Sequence, residues 1–195
     1  KAADLLKKAD KGDIVSQKIF RIITPLIKFR ACRDVRKVAG DAMEIRGGLG
    51  YIEDWLDPKI LRDSHLGSIW EGTSNIISLD TIRALKKDNN LQIFKNFLTD
   101  SVKINSEKKH EKHLLSVIDD VFYFVENEVK EDFTSSSRQI TTSLYYLSSA
   151  IFLIEEGNYC EDLAYRSKIS ELIIKYKIDK NSPITRDCLL YTSPS

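Results

Sequence analysis

The sequence is poor in the residues that interrupt helices. Its 195 residues include 8 glycines, 4 prolines and 3 cysteines, and no apolar run is long enough to span a bilayer. Neither sign of charge dominates, because 30 Lys and Arg residues stand against 29 Asp and Glu residues. The net charge of +1 gives no global electrostatic reason to expect a nucleic-acid or membrane-surface protein. With 42% hydrophobic and 30% charged residues, the composition predicts a soluble and mainly helical protein.

The cysteines and the chain ends give little information about compartment. Cys32, Cys160 and Cys188 show no metal or redox spacing, so we expect reduced thiols. The chain begins at Lys1 inside an apolar helical pattern, without an initiator Met or a signal peptide, which predicts a fragment lacking its N-terminal part. Localisation therefore stays open between the cytoplasm and the mitochondrial matrix. Residues 188–195 have no periodicity, and we interpret them as a non-native tail.

Apolar residues recur at helical spacing along most of the chain, which predicts an all-α fold. Thr24 and Pro25 read as a cap and a first helical residue, and thus as a break between two helices. We expect an antiparallel helical bundle over residues 1–87 and a helical extension over 91–180. The predicted helices are 1–9, 14–23, 25–46, 57–65, 73–87, 91–104, 108–131, 136–156 and 158–178, with a loop at 47–57.

One carboxylate stands out because of its surroundings. Glu71 follows Trp70 and precedes Gly72, whose missing Cβ permits close approach by a ligand. Thr73 and Asn75 then offer groups that cap the next helix. A carboxylate beside a helix N-terminus suits proton chemistry on a bound anion. From spacing alone, an ordinary solvated loop residue remains the alternative.

A second glycine-rich segment follows the long central helix. Gly47 and Gly48 end that helix, and their bare backbone is able to approach a pyrophosphate. The alternative is a simple helix C-cap and turn. The segment follows a helix rather than a strand, so it is not a Rossmann fingerprint.

Two further groups of polar residues favour structural roles. His110 and His113 lie one helical turn apart, but the sequence offers no third ligand, so we expect a solvated helix face and no metal. A basic group on the central helix invites phosphate or nucleic acid, yet an aspartate lies within it, so salt bridges to neighbouring helices or subunits are the favoured use. Its members are Arg30, Arg33, Arg36 and Lys37.

The segments Arg62–Asn75 (RDSHLGSIWEGTSN) and Ala42–Tyr51 (AMEIRGGLGY) together resemble the C-terminal helical domain of the flavin-dependent acyl-CoA dehydrogenases. Within that family, the chain is most similar to the adaptive-response (AidB-like) branch, where an aromatic residue also precedes Glu-Gly and a hydroxyl residue. The resemblance covers about residues 1–87, with both motifs in order at the spacing of the family. A C-terminal helical extension also occurs in the AidB-like branch.

The resemblance implies an FAD cofactor and specific roles for the motif residues. Glu71 takes the place of the general base that removes the α-proton of an acyl-CoA thioester while the β-hydrogen leaves as hydride. Such a base must be drier than a solvated glutamate. The family often has Gln at Glu44, and an acidic residue suits a ribose hydroxyl better than a phosphate. The implied cofactor-binding residues are Glu44, Ile45, Arg46, Gly47, Gly48, Thr73, Ser74 and Asn75, and the implied substrate-binding residues are Trp70 and Gly72.

The resemblance also implies partners. It predicts an acyl-CoA substrate, an electron-transferring flavoprotein as acceptor, and a homo-oligomer, either a dimer or a tetramer, working in fatty acid metabolism. The glycine-rich segment would serve the flavin of a neighbouring subunit. The alternative is an AidB-like flavoprotein with little dehydrogenase activity and a role in stress or DNA protection, and only this alternative calls for nucleic acid.

Overall fold

The computed structural model describes residues 1–130, 135–160 and 162–179, and every regular element in those ranges is helical. This confirms the all-α antiparallel bundle with a helical extension. The predicted tail and Cys188 lie outside the described residues. The α-helices are α1 (Ala2–Ala9), α2 (Ile14–Ile45), α3 (Gly48–Tyr51), α4 (Asp57–Ser64), α5 (Ser74–Lys86), α6 (Asn90–Asn105), α7 (Lys108–Lys130), α8 (Ser137–Tyr159) and α9 (Leu163–Ile173). A 3₁₀ turn (Leu66–Ser68) precedes α5, and a π-helical turn (Ile174–Ile178) continues α9.

The central helix α2 runs without a break through Pro25, so the predicted helix end at this point was wrong. A proline in a helix removes one backbone donor, and here the packing of its own face outweighs that loss. Pro25 is buried between Ile22 and Leu26, which are 0% and 1% exposed. The hydroxyl of Thr24 donates to the carbonyl of Phe20 at 2.8 Å, so it bonds within the helix instead of capping one.

The start of α2 is fixed by an aspartate cap. The Asp13 carboxylate accepts from the backbone N–H of Val15 at 3.0 Å and from the Ser16 hydroxyl at 2.7 Å. These bonds satisfy donors that a helix start otherwise leaves unpaired. The hydrogen bond from Ser16, ahead of the backbone bonds, holds the pKa of Asp13 below its ordinary value. The cap thus sets where α1 turns back onto α2.

One buried core runs through the bundle and the extension. It joins side chains of α2 and α5 to those of α6, α7 and α8. Phe94 of α6 and Phe122 of α7 are both 0% exposed, and their ring centroids lie 6.2 Å apart. Burying such rings is among the largest single contributions to stability. The division into residues 1–87 and 91–180 stays a prediction, since the two parts share this core.

The turn from α5 to α6 links the two parts tightly. Asp88 and Asn89 adopt left-handed backbone conformations, with φ of 48° and 60°. Asp and Asn tolerate this region better than most residues. The buried amide of Asn90 donates to the carbonyl of Ala84 at 2.9 Å, which closes the end of α5.

The extension largely follows the predicted pattern, with one difference at its end. The predicted helix over 158–178 begins later, because α8 continues to Tyr159 and α9 starts at Leu163. Gly157 makes this sharp reversal fit, since a Cβ there would lie 3.0 Å from the Leu163 Cα. Within the described ranges, none of the helices combines the length and apolarity needed to cross a membrane.

Candidate functional site

Glu71 lies in the loop between the 3₁₀ turn and α5. Its backbone is left-handed, with φ of 53°, and Gly72 follows with φ of 105°. A non-glycine residue in this region costs roughly 1–2 kcal/mol and often marks a functional position. The Glu71 carboxylate is exposed, and no hydrogen bond or ion pair from the described part of the chain engages it. The loop thus presents one uncommitted carboxylate to solvent, without the dry surroundings that a general base needs.

Gly72 is required by both conformation and space. A Cβ at this position would lie 3.2 Å from Ile76 Cγ2 and 3.2 Å from Ile77 Cδ1. Both contacts are tighter than a side chain normally makes, and a φ of 105° is strained for any L-residue. The glycine therefore lets the loop turn directly onto the first turn of α5.

Lys28 of α2 holds the loop from the other side. Its ammonium donates to the carbonyl of Trp70 at 2.6 Å and to that of Gly67 at 3.4 Å. Gly67 also packs closely on α2, because a Cβ there would lie 2.9 Å from Cys32 Sγ. The sequence does not predict this role of Lys28, since the bonded residues are 39 and 42 positions away.

The residues after Glu71 start α5 without capping it through their side chains. Thr73 occupies the N-cap position with extended backbone, and its hydroxyl makes no capping bond. Ser74 and Asn75 form the first turn, and the Asn75 carbonyl accepts from the hydroxyl of Ser78 at 2.8 Å. The exposed side chains of Thr73 and Asn75 therefore remain available for a ligand.

Several large apolar side chains beside the loop are exposed in the described structure. Trp70 is 65% exposed, Ile69 61% and Ile76 51%. Contiguous exposed apolar groups of this size mark surfaces that bind a ligand or another protein.

The second motif forms the end of α2 and the turn after it. Glu44 is exposed, and Ile45 is 87% exposed. Gly47 has φ of 60°, and a Cβ on either Gly47 or Gly48 would meet nothing within 4 Å. The backbone here is bare and open, as an approaching phosphate or ribose requires.

Part of the predicted loop after this motif is helical, since α3 occupies Gly48–Tyr51. Gly50 packs so tightly beneath the end of α2 that a Cβ there would lie 2.2 Å from the Met43 carbonyl oxygen. The Arg46 side chain contacts the segment that follows it, with its Nε 3.2 Å from Asp57 Oδ2 and its guanidinium 5.2 Å from the Trp55 ring centroid. The predicted cofactor residue Arg46 is thus already engaged within the chain.

An ion pair fixes the following loop on α4. The guanidinium of Arg62 donates to both carboxylate oxygens of Glu53, at 2.6 and 3.1 Å. This bidentate bond lowers the pKa of Glu53 and raises that of Arg62. The pair is exposed, so its effect is on the placement of the loop more than on stability.

The two motifs lie far apart within one chain. Lys28 marks the level of the Glu71 loop on α2, and Glu44 lies 16 residues further along the helix. At 1.5 Å per residue the separation along the axis is about 24 Å. One chain therefore does not bring Glu71 and the glycine-rich turn into a single pocket.

The remaining polar candidates are the histidine pair on α7 and the basic group on α2. His110 Nδ1 lies 3.3 Å from Glu171 Oε1, which ties α7 to α9, and His113 is exposed. Among the residues that the structure describes, no group of three or more His, Cys, Asp or Glu side chains is arranged for a metal. In the basic group on α2, Arg30 and Lys37 each pair with an aspartate four residues on in the same helix, and not with the neighbouring helix or subunit that was expected.

Comparison with known proteins places the bundle in a family. Residues 2–86 match the family described as the acyl-CoA dehydrogenase C-terminal domain. The chain is 28% identical over 167 residues to acyl-CoA dehydrogenase family member 11 of Caenorhabditis elegans, covering 78% of the chain and 27% of that protein. It is 42% identical over 67 residues to the putative acyl-CoA dehydrogenase AidB of Escherichia coli (strain K12), covering 34% of the chain and 12% of AidB.

One solved structure is similar to the helical extension as well as to the bundle. The crystal structure of C. elegans ACDH-11 in complex with C11-CoA superposes with a TM-score of 0.73 at 27% identity. The match covers 94% of this chain and 32% of that one, so this chain spans about a third of the length of that relative. Residues 2–86 are therefore recognised as the C-terminal helical domain of the acyl-CoA dehydrogenase family.

Proposed function

We propose that the complete protein is an FAD-dependent acyl-CoA dehydrogenase in which Glu71 is the general base. The observation that carries this proposal is the Glu71 loop itself: a carboxylate without a partner among the described residues, held in a left-handed conformation by Gly72 and Lys28. Strain of this kind persists where the surrounding structure imposes it, commonly at functional positions. The match of residues 2–86 to the acyl-CoA dehydrogenase C-terminal domain suggests the reaction class.

The proposed reaction is an α,β-dehydrogenation of an acyl-CoA thioester. Glu71 accepts the α-proton, the β-hydrogen leaves with its electron pair, and a C=C bond forms between the two carbons. FAD, when bound, accepts that hydride. The chain's own task is to hold the Glu71 carboxylate at the α-carbon and to exclude water there. Since Glu71 is exposed in the described chain, the dry wall has to come from Trp70, the acyl chain and further protein.

The residues of the second motif fit the nucleotide part of FAD. Gly47 and Gly48 offer open backbone, and the exposed Glu44 carboxylate suits a ribose hydroxyl. Ile45 presents an apolar side chain beside them. Thr73, Ser74 and Asn75 offer polar groups near Glu71. Arg46 fits less well, because Asp57 and Trp55 already engage it.

The separation of the motifs supports a homo-oligomer. A gap of about 24 Å along α2 means that Glu71 of one chain and Gly47 of the same chain serve different ends of the bundle. We infer a dimer or tetramer in which a second copy of the chain supplies the missing half of each site. The exposed apolar residues at that end are consistent with such a contact: Ile45, Leu49, Tyr51, Leu56 and Ile60.

The proposed substrate is an acyl-CoA ester, in line with the C11-CoA complex of ACDH-11. Trp70 and Gly72 are the substrate-contacting residues of this chain under that proposal. An electron-transferring flavoprotein as the acceptor stays a prediction at the level of the family.

The test uses the complete protein purified with its flavin. Acyl-CoA esters of increasing chain length are added without oxygen, and the long-wavelength flavin absorbance is followed. We expect bleaching by one range of chain lengths, lost in Glu71→Gln and retained in Glu107→Gln. Glu107 is a matched control, because it is an exposed glutamate outside the site. Equal bleaching by wild type and Glu71→Gln would contradict the role of Glu71.

The identity of 42% with AidB over 67 residues favours a second candidate, a flavoprotein with little dehydrogenase activity and a role in stress response or DNA protection. This candidate predicts stoichiometric flavin that no ester bleaches. The same titration therefore separates the two functions, since bleaching excludes the second candidate.

A further inference from the structure

Four arginines meet where the family domain joins the extension. Arg30, Arg33 and Arg36 follow each other at intervals of three along α2, so neighbouring members share one helix face. Arg138, in the first turn of α8, lies near enough that its charge lowers the pKa of Arg33. The sequence predicts the α2 members as a basic group, but it does not predict that a distant helix adds a fourth.

Aromatic rings and one aspartate hold two of these side chains. Arg30 bonds to Asp34 and donates to the Tyr146 hydroxyl at 2.8 Å, with its guanidinium 5.0 Å from the Tyr146 ring centroid. The guanidinium of Arg33 lies 5.4 Å from the centroid of the Phe29 ring. Rings at these distances orient a guanidinium without neutralising it. The cluster is therefore an ordered one.

The other cations of the group have no counter-ion among the described residues. No carboxylate in the described ranges lies within ion-pair distance of Arg33, Arg36 or Arg138. The Nε of Arg36 is buried and has no hydrogen-bond partner in this part of the protein. The Nε of Arg30 also has no partner among the described residues. Since buried donors are nearly always satisfied, these two nitrogens are available to an added acceptor.

The cluster is electrostatically unfavourable as it stands. Partial burial, followed by the charges of Arg138, Arg30 and Arg36, lowers the pKa of Arg33, and Asp34 only partly offsets this. Like charges held together in this way oppose folding unless an anion neutralises them. Natural proteins keep such local conflicts mainly at functional sites.

We propose that Arg33, Arg36 and Arg138 bind the phosphate group of a small ligand at the junction of α2 and α8. Guanidinium groups match phosphate oxygens with paired, charge-assisted hydrogen bonds, and the buried Arg36 Nε is one such donor. Because the three side chains come from both parts of the protein, the bound phosphate ties the extension to the family domain. The proposal does not depend on the proposed dehydrogenation.

The compactness of the cluster favours a small ligand over a nucleic acid. A nucleic-acid surface spreads its cations along the phosphate backbone and is basic overall. Here Arg30, Arg33 and Arg36 lie within two turns of α2, Asp34 lies among them, and the net charge of the chain is only +1.

The test titrates the complete protein with inorganic phosphate and with pyrophosphate at constant ionic strength, followed by calorimetry and by Tm. We expect saturable binding that raises the Tm of the wild type. Arg33→Gln, Arg36→Gln and Arg138→Gln should each weaken binding about tenfold, the loss expected for one charge-assisted bond. Lys37→Gln is the matched control, because it removes the same charge from the same helix where Asp41 already pairs with it; its affinity should stay unchanged.

Two readouts keep the proposal falsifiable. Without ligand, the Arg33→Gln protein should be at least as stable as the wild type, because a repulsion is relieved; a clear fall in Tm would show a structural role instead. The proposal is also overturned if chloride at equal ionic strength raises Tm as much as phosphate does, or if the Arg variants bind phosphate normally. Duplex DNA is the last probe: DNA binding that needs these arginines, with no effect of phosphate or pyrophosphate, would contradict a small ligand.

Discussion

Replacing Glu71 should separate catalysis from stability. General-base catalysis contributes about 10²- to 10⁴-fold in rate, which corresponds to roughly 3–5 kcal/mol. In Glu71→Gln we therefore expect flavin reduction by an acyl-CoA ester to slow by about that factor. The unfolding free energy should change by less than about 0.5 kcal/mol, because the side chain is exposed and engages no partner in the described ranges.

Glu71→Gly tests the backbone conformation at the same position. A φ of 53° costs an L-residue roughly 1–2 kcal/mol, and a glycine avoids that cost. The greater freedom of glycine in the unfolded chain takes back about 0.5–1 kcal/mol. The net result is a gain of roughly 0.5–1 kcal/mol, which raises the Tm.

The assay pairs anaerobic stopped-flow flavin reduction with thermal unfolding of the same preparations. The predicted pattern is lost activity with unchanged stability in Glu71→Gln, and lost activity with raised stability in Glu71→Gly. A Glu71→Gly protein that is less stable than the wild type would refute the strain argument. A Glu71→Gln protein that reduces its flavin at the rate of the wild type would refute the base assignment.

Three further predictions concern the core, the loop and the helix cap. Phe94→Ala should cost about 3–5 kcal/mol by chemical denaturation, in a single transition, because the 0% exposed ring lies in the core shared by both parts; two separate transitions would contradict a shared core. Lys28→Met should cost about 1 kcal/mol and speed amide exchange next to Trp70, because it removes the bond to that carbonyl; unchanged exchange would show that Lys28 does not hold the loop. Asp13→Ala should lower the Tm near neutral pH. The Ser16 hydroxyl lowers the folded-state pKa of Asp13, so the stabilisation by the Asp13 carboxylate is complete above the ordinary carboxyl range and disappears as the pH falls through the lowered pKa. A Tm difference between wild type and variant that persists in strong acid would contradict this sign.

Helix positions could be predicted well from the sequence because apolar periodicity is a local property. The failure at Pro25 has a tertiary cause, since its flanking residues Ile22 and Leu26 are almost fully buried against other helices. Propensity alone favours a break there, and packing overrides it. The short helix α3 was missed for a similar reason, because Gly50 fits under the end of α2 only in the folded protein.

The residues of the site were predictable only through their motifs. The sequence motif drew attention to Gly72, and in the structure the φ of Glu71 is strained and neighbouring side chains crowd Gly72. The functional roles of these residues stay predictions. Lys28 and Arg138 could not be predicted, because each acts on residues far away in sequence. Contacts of this range are created by the packing of helices, which no local pattern encodes.

Hydrogen exchange at the substrate α-carbon tests the central proposal most directly. The complete protein is incubated in D₂O with the acyl-CoA ester that bleaches its flavin. The deuterium content of the recovered ester is then measured by mass spectrometry. If Glu71 removes the α-proton, the wild type incorporates deuterium at the α-carbon and Glu71→Gln does not, while Glu107→Gln behaves as the wild type. Equal labelling by the wild type and Glu71→Gln, or no labelling by either, would contradict the assignment of Glu71 as the base.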